Sequence, residues 1–179
     1  MTDVRQAVLI PGRGYTVREP LFAYVAELLR RRRLHAHGIE WEVPQDLAEA
    51  ERGPWVQRQA AAAIDERTAL LVGKSLGTLA APVATERRLP AVWLTPLLRY
   101  PGLAEAFERS EAPFLLVGGT ADPSWDAATA RRLTPHVLEI PHGDHGLLVP
   151  GPMARSADAL GQVCTAIEQF LEDRAISRI

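Results

Sequence analysis

The sequence predicts an α/β protein, a three-layer α/β/α sandwich built on a six-stranded, mostly parallel sheet. Six short apolar runs recur along the chain, and most are followed by a segment with helical periodicity. These runs are continuously apolar rather than alternating, which is typical of strands that are covered by helices on both faces.

The predicted strands are short, and each is closed by turn residues. They span residues 7–10, 38–43, 69–72, 91–94, 114–117 and 137–140. The intervals between most of them suit one crossover helix, so we expect the strands to be joined as successive βαβ units.

The first helix is predicted to open at Thr16, because Glu19 three residues later would close a capping box. Pro82 falls inside the helix that follows Ser75 and is expected to kink or shorten it. The other predicted helices span residues 55–67, 103–109, 125–133 and 153–172.

Length and composition predict one domain over residues 1–179, with the 47% hydrophobic and 23% charged content of a globular protein. The 20 basic and 22 acidic side chains give no excess of positive charge, so the composition does not predict binding to nucleic acid. No apolar run is long enough to span a membrane. The single cysteine and the lack of a signal-peptide pattern predict a cytoplasmic location. The oligomeric state is left open.

A G-x-S-x-G motif, Gly73-Lys74-Ser75-Leu76-Gly77, directly follows the third predicted strand and precedes helix-favouring residues. A serine at such a turn has a strained backbone that lifts its hydroxyl clear of the sheet, and the glycines leave room for neighbouring elements. The alternative is a glycine-rich turn with a serine N-cap. A phosphate-binding loop is not favoured, because Thr68 stands where that motif requires its first glycine.

A serine hydroxyl becomes a good nucleophile when a histidine takes its proton and a carboxylate orients that histidine. Asp122 lies in the loop after the fifth predicted strand, and His145 lies in the loop after the sixth. The carboxyl ends of parallel strands meet at one edge of a sheet, so Ser75, Asp122 and His145 are expected to lie close together. The alternatives are His142 for the base and Asp126 for the acid, although Asp126 is also placed to cap a helix.

In these features the chain resembles the α/β-hydrolase family over nearly its whole length. The matching segments are the loop Pro11-Gly12-Arg13-Gly14 after the first strand, the Ser75 motif, a G-x-x-D loop at Asp122 and a G-x-x-H loop at His145. The family usually has His-Gly where this chain has Pro11-Gly12. The resemblance implies a minimal fold without a cap domain, like the small dienelactone-hydrolase-like and serine-esterase-like members.

The resemblance also implies a Ser75-His145-Asp122 triad and an oxyanion hole. The backbone N–H groups of that hole would come from Leu76 and from Arg13 or Gly14. The implied activity is that of a serine hydrolase that cleaves a small ester or thioester through an acyl-enzyme, with a small-molecule substrate and no cofactor.

Three residues near the predicted site are candidates to contact the substrate: Tyr15, Trp125 and Leu97. Each of them could equally serve packing. Other functions remain open, namely an acyltransferase, a cyclase or a noncatalytic binding module on the same fold. A zinc site at His35 and His37 is not favoured, because no third ligand pairs with them.

Overall fold

The computed structural model describes residues 4–173, which form a six-stranded, fully parallel sheet with the strand order β2-β1-β3-β4-β5-β6. The inner strands are completely buried, whereas the edge strands β2 and β6 are partly exposed. The strands are β1 Gln6–Ile10, β2 His35–Gly38, β3 Thr68–Lys74, β4 Ala91–Leu94, β5 Phe114–Gly119 and β6 Val137–Ile140.

Helices cover both faces of the sheet and complete three layers. They are α1 Pro20–Arg31, α2 Glu49–Ala63, the 3-10 helix Ser75–Ala80, α3 Ala81–Arg87, α4 Leu103–Glu108, α5 Ala127–Leu133 and α6 Met153–Asp173. Side chains of α1 and α6 form one core with Ala7 and Leu9 of β1. The remaining helices form a second core with Val8 and Ile10, the alternate residues of the same strand.

The predicted fold class is therefore confirmed. Among the connections that the structure describes, none carries an inserted cap over the carboxyl edge of the sheet. None of the helices within residues 4–173 combines the length and the apolar character that crossing a membrane would require.

The prediction of the second strand at 38–43 was wrong, since β2 spans His35–Gly38. The strand is on the edge and pairs only with β1, whose register with it ends at Leu9 and Gly38. Beyond Gly38 the chain leaves the sheet, and Trp41 packs against Trp55 of α2 with ring centroids 4.9 Å apart. The apolar alternation at 39–43 reflects this packing.

The first two helices begin at residues other than the predicted ones. Helix α1 begins at Pro20 instead of Thr16, and the N-cap residue Glu19 makes no side-chain capping bond. Proline suits that position because its missing N–H has no intrahelical partner there. The Thr16 hydroxyl instead accepts a bond from the Arg18 N–H and forms a local turn. Helix α2 begins at Glu49, earlier than predicted, and ends at Ala63.

Pro82 lies in the first turn of α3, which follows the 3-10 helix directly. The proline therefore marks the junction between two short helices instead of kinking one long helix. The fifth helix likewise begins at Ala127 and not at Trp125, and Asp126 caps it by accepting the Thr129 N–H at 2.9 Å.

Candidate active site

The strand order places the predicted site at the point where the connections leave the sheet in opposite directions. Strands β1 and β3 are neighbours there, so the loop that begins at Pro11 meets Ser75 at the carboxyl edge. Clefts at such a point are where open α/β sheets bind ligands. The loops that carry Asp122 and His145 follow β5 and β6 at the same edge.

The turn at Ser75 has the backbone that the sequence motif predicts. Ser75 has a φ of 51°, in the left-handed region, and it begins the 3-10 helix. A Cβ added at Gly77 would lie 2.2 Å from the carbonyl oxygen of Ile10, so only glycine lets this helix approach β1. The turn is therefore strained and tightly packed, and it presents the Ser75 side chain at the edge.

The structure brings the three predicted side chains into one hydrogen-bonded row. The Nε2 atom of His145 lies 2.7 Å from the Oγ of Ser75, and its Nδ1 lies 2.7 Å from the Oδ2 of Asp122. With the carboxylate accepting from Nδ1–H, Nε2 is left to accept the serine proton. This geometry has the form of a nucleophile, a base and an orienting acid.

Asp122 is almost completely buried, with 1% of its side chain exposed. Burial opposes ionisation of the carboxyl, but hydrogen bonds from His145 and from the Ser124 N–H outweigh it, and the pKa of Asp122 lies below its usual value. The group is thus ionised at neutral pH. It can orient the imidazole and stabilise a positive charge on it.

The other titratable residues of these loops take structural positions. The side chain of His142 is exposed at a residue with a φ of 60°, and Asp126 is the α5 cap. Asp144 accepts hydrogen bonds on Oδ1 from the N–H groups of Gly146 and Leu148, at 2.8 and 2.9 Å. Asp144 therefore orders the loop on which His145 lies.

The loop after β1 packs directly on the nucleophile turn. A Cβ at Gly12 would lie 3.5 Å from the Ser75 Cβ, and the Gly12 N–H already donates to the Tyr15 carbonyl at 3.0 Å. The N–H groups of Arg13 and Gly14, the donors that the resemblance implies, lie at the exposed tip of this loop. The Leu76 N–H stands at the start of the 3-10 helix, where N–H groups lack an intrahelical acceptor.

Two clefts lie close to the row of side chains, although none of Ser75, Asp122 and His145 lines either of them. A cleft of about 470 Å³ borders the loop after β1 and carries charged groups such as Arg13, Arg18 and Glu40. The second, of about 370 Å³, lies between the His145 loop, α1 and α6. We call it the apolar cleft, and most of its wall consists of Tyr15, Leu21, Leu147, Leu148, Leu160 and Val163.

Of the three candidate substrate contacts, Tyr15 lines the apolar cleft, whereas Trp125 and Leu97 line neither cleft. The Trp125 ring is buried against β5, where a Cβ at Gly118 would meet it at 2.0 Å, and its Nε1 donates to Glu139 at 2.9 Å. Leu97 is half-buried and packs on the core. The structure gives both of these residues packing contacts.

Lys74 has a position that the sequence analysis missed. It is 2% exposed, and its Nζ lies 3.0 Å from both the Thr95 Oγ1 and the His145 carbonyl oxygen, 4.7 Å from the centre of the Tyr15 ring. Burial lowers the pKa of Lys74 to about 8, although Asp122 and Asp144 oppose the shift. One feature of the sequence could have indicated this position: the one lysine of the chain is the last residue of a buried strand.

No group of three or more metal-ligating side chains is found within residues 4–173. His35 and His37 both lie exposed on the edge strand β2.

No family model and no curated protein matches this chain in sequence. Solved structures do match it. Est1E from Butyrivibrio proteoclasticus superposes with a TM-score of 0.71 at 13% identity, over 98% of this chain and 90% of that one. The α/β hydrolase domain-containing protein 10 from mouse gives a TM-score of 0.67 at 15% identity, over 96% and 91%. A lidless α/β serine hydrolase from Xanthomonas campestris gives 0.59 at 15%, over 95% and 85%.

These similarities extend over nearly the full length of both chains, so they concern the whole architecture and not one βαβ unit. The chain has the α/β-hydrolase fold, in its minimal form without a lid. At these identities the likeness establishes the fold, and the chemistry has to be argued from the site.

Proposed function

We propose that this protein is a serine hydrolase that cleaves small esters or thioesters through an acyl-enzyme. The observation that carries the proposal is the row from Asp122 through His145 to Ser75, joined by two contacts of 2.7 Å. The strained turn at Ser75 supports it, because such strain persists where the surrounding structure enforces it, and it clusters at functional sites.

In the proposed reaction the Ser75 Oγ attacks the carbonyl carbon of the substrate while its proton passes to the His145 Nε2. The carbonyl oxygen becomes an oxyanion, which accepts hydrogen bonds from the Leu76 N–H and from that of Arg13 or Gly14. Collapse expels the alcohol or thiol, which takes the proton from His145. Water then attacks the acyl ester with His145 again as base, releasing the acid and restoring Ser75.

We assign the apolar part of the substrate to the apolar cleft. Tyr15 links the apolar cleft to Ser75, because it lines the cleft and its Cβ lies beside Gly12, which packs on Ser75. A volume of about 370 Å³ falls at the small end of ligand sites. Among the similar structures are Est1E with ferulic acid bound to it and a cold-adapted esterase from an Arctic intertidal metagenomic library. The second of these supports an ester as the substrate class.

The assignment predicts how activity depends on acyl length in p-nitrophenyl esters. Each methylene buried contributes about 0.8 kcal/mol, so kcat/KM should rise about fourfold per added carbon until the cleft is full. Leu160→Trp narrows the cleft from α6 and should shift the optimum toward shorter chains. Gln169→Trp, on the exposed face of the same helix, is the control and should leave the profile unchanged. An identical profile for Leu160→Trp would contradict the assignment.

Hydrolysis is favoured over acyl transfer by the openness of the site. No inserted segment covers it in the described part of the chain, and 40% of the His145 side chain is exposed, so water has access to an acyl-enzyme. The experiment is product analysis with short ester and thioester substrates, with and without added alcohol or amine acceptors. We expect free acid in every case. Acylated acceptor as the main product would favour a transferase, and a folded but inert protein would favour a binding module.

A further inference from the structure

Lys74 joins four of the strand ends from which the site is built. It is the last residue of β3, immediately before Ser75. Its Nζ donates to the hydroxyl of Thr95 after β4 and to the carbonyl of His145 after β6, both at 3.0 Å, and faces the ring of Tyr15 after β1. The three N–H bonds of the ammonium thus have three partners, all on different loops.

A cation in this place is costly to the fold. Removing an ammonium from water opposes folding, and an apolar side chain of similar volume is often tolerated as well or better. The rest of β3 is apolar apart from Thr68 at its first position, so packing alone does not call for a lysine here. The partners point to a role at the site, because one of them is the backbone of His145 itself.

The Lys74 ammonium bonds the backbone of the residue that carries the imidazole. Asp144 orders the histidine loop internally. Hydrogen bonds also link the start of the loop to the segment after β5, from the His142 N–H to the Thr120 Oγ1 and from the Ala121 N–H to the Gly143 carbonyl. The Lys74 ammonium supplies such a link at the histidine residue, and Thr95, which is fully buried with a φ of 44°, anchors the ammonium from the other side. A shift of this link would move the Nε2 relative to the Ser75 Oγ.

We propose that Lys74 is a positioning residue for the proposed hydrolysis, whose ammonium fixes the His145 backbone so that the imidazole stays aligned with Ser75. The inference rests on the proposed function. Lys74 touches neither the substrate nor the reacting atoms in this role. It acts through His145, and its effect should therefore appear in kcat and leave KM nearly unchanged.

The role also predicts a pH dependence. The groups that face the ammonium are the carboxylates of Asp122 and Asp144, the phenol of Tyr15 and His145. Burial lowers the pKa of Lys74 to about 8, so above this pH the amine becomes neutral and its hydrogen bonds to Thr95 and to the His145 carbonyl lose the strength that the charge gives them. Burial raises the pKa of Tyr15 above its ordinary value of 10, which removes the phenol from this range. Activity should therefore fall as the pH rises through about 8.

The experiment compares wild type with Lys74→Met, which keeps the side-chain length and removes the charge. We measure kcat and KM for a short p-nitrophenyl ester from pH 6 to 10. Since small misplacements of catalytic groups cost up to about 100-fold, we expect kcat to fall about 10-fold to 100-fold with little change in KM. The decrease of kcat above pH 8 should be absent from the variant. Thermal unfolding should show a variant at least as stable as wild type.

Two further variants make the outcome specific. Thr95→Val keeps Lys74 but removes one acceptor of its ammonium, so the alkaline decrease should remain and move to lower pH. Arg32→Met removes a mostly buried cation that bonds Glu168 and Glu172 at the opposite edge of the sheet. This control should lower stability without altering kcat or its pH profile.

The role of Lys74 is overturned if wild type is active and Lys74→Met keeps its kcat and its alkaline decrease. If Lys74→Met does not fold, an unshifted profile in Thr95→Val overturns it instead. A folded wild type that hydrolyses none of the esters and does not react at Ser75 would overturn the proposed function itself. The two failures are therefore distinguishable.

Discussion

Ser75→Ala is expected to lower kcat/KM for a short p-nitrophenyl ester by about a million-fold, because loss of the nucleophile disables the serine, histidine and acid together. The variant should fold normally. The Ser75 side chain is only partly buried, and its hydroxyl bonds His145 rather than the core. The rate of ester hydrolysis and the thermal unfolding of the variant are measured on the same preparation.

The matched control for this variant is Ser110→Ala. The Ser110 hydroxyl lies away from the site. It donates to the Ala112 carbonyl in the loop before β5, at the opposite edge of the sheet. It should leave kcat/KM within about twofold. Hydrolysis by Ser75→Ala within tenfold of wild type would contradict the assignment of Ser75 as nucleophile.

Gly77→Ala is expected to destabilise the protein by about 3 kcal/mol or more and to disrupt the turn that presents Ser75. The added Cβ would lie 2.2 Å from the Ile10 carbonyl oxygen and 2.7 Å from that of Pro11. These are backbone atoms of β1 and of the loop after it, so relief requires the 3-10 helix to move. Chemical denaturation and esterase activity should both report the loss.

Gly161→Ala is the control for this change. Gly161 lies on the exposed side of α6, where an added Cβ meets nothing within 4 Å, so alanine should stabilise the helix by about 1 kcal/mol. If Gly77→Ala and Gly161→Ala are equally stable, the close approach of the 3-10 helix to β1 does not require glycine at position 77.

The fold and the positions of the three side chains could be predicted because both follow from the order of elements. The carboxyl ends of parallel strands share one edge, so Ser75, Asp122 and His145 converge although they are far apart in the chain. The glycine at position 77 follows from the same geometry, since the turn must pass close to β1.

The features that escaped prediction depend on contacts between distant segments. Strand β2 ends at Gly38, where its register with β1 ends, and the alternating residues at 39–43 do not reveal this. Trp125 lies close to Asp122 in sequence, but its ring packs in the core, in the space that Gly118 leaves open by having no side chain. Lys74 contacts His145 across 71 positions, so only the folded chain shows that its charge lies beside the histidine.

Labelling with a fluorophosphonate, followed by mass spectrometry of the intact protein and of its peptides, tests directly whether Ser75 is the nucleophile. We expect one adduct per folded wild-type chain, located on Ser75, and none on Ser75→Ala. A folded wild type that stays unlabelled, or an adduct that forms equally on Ser75→Ala, would contradict it.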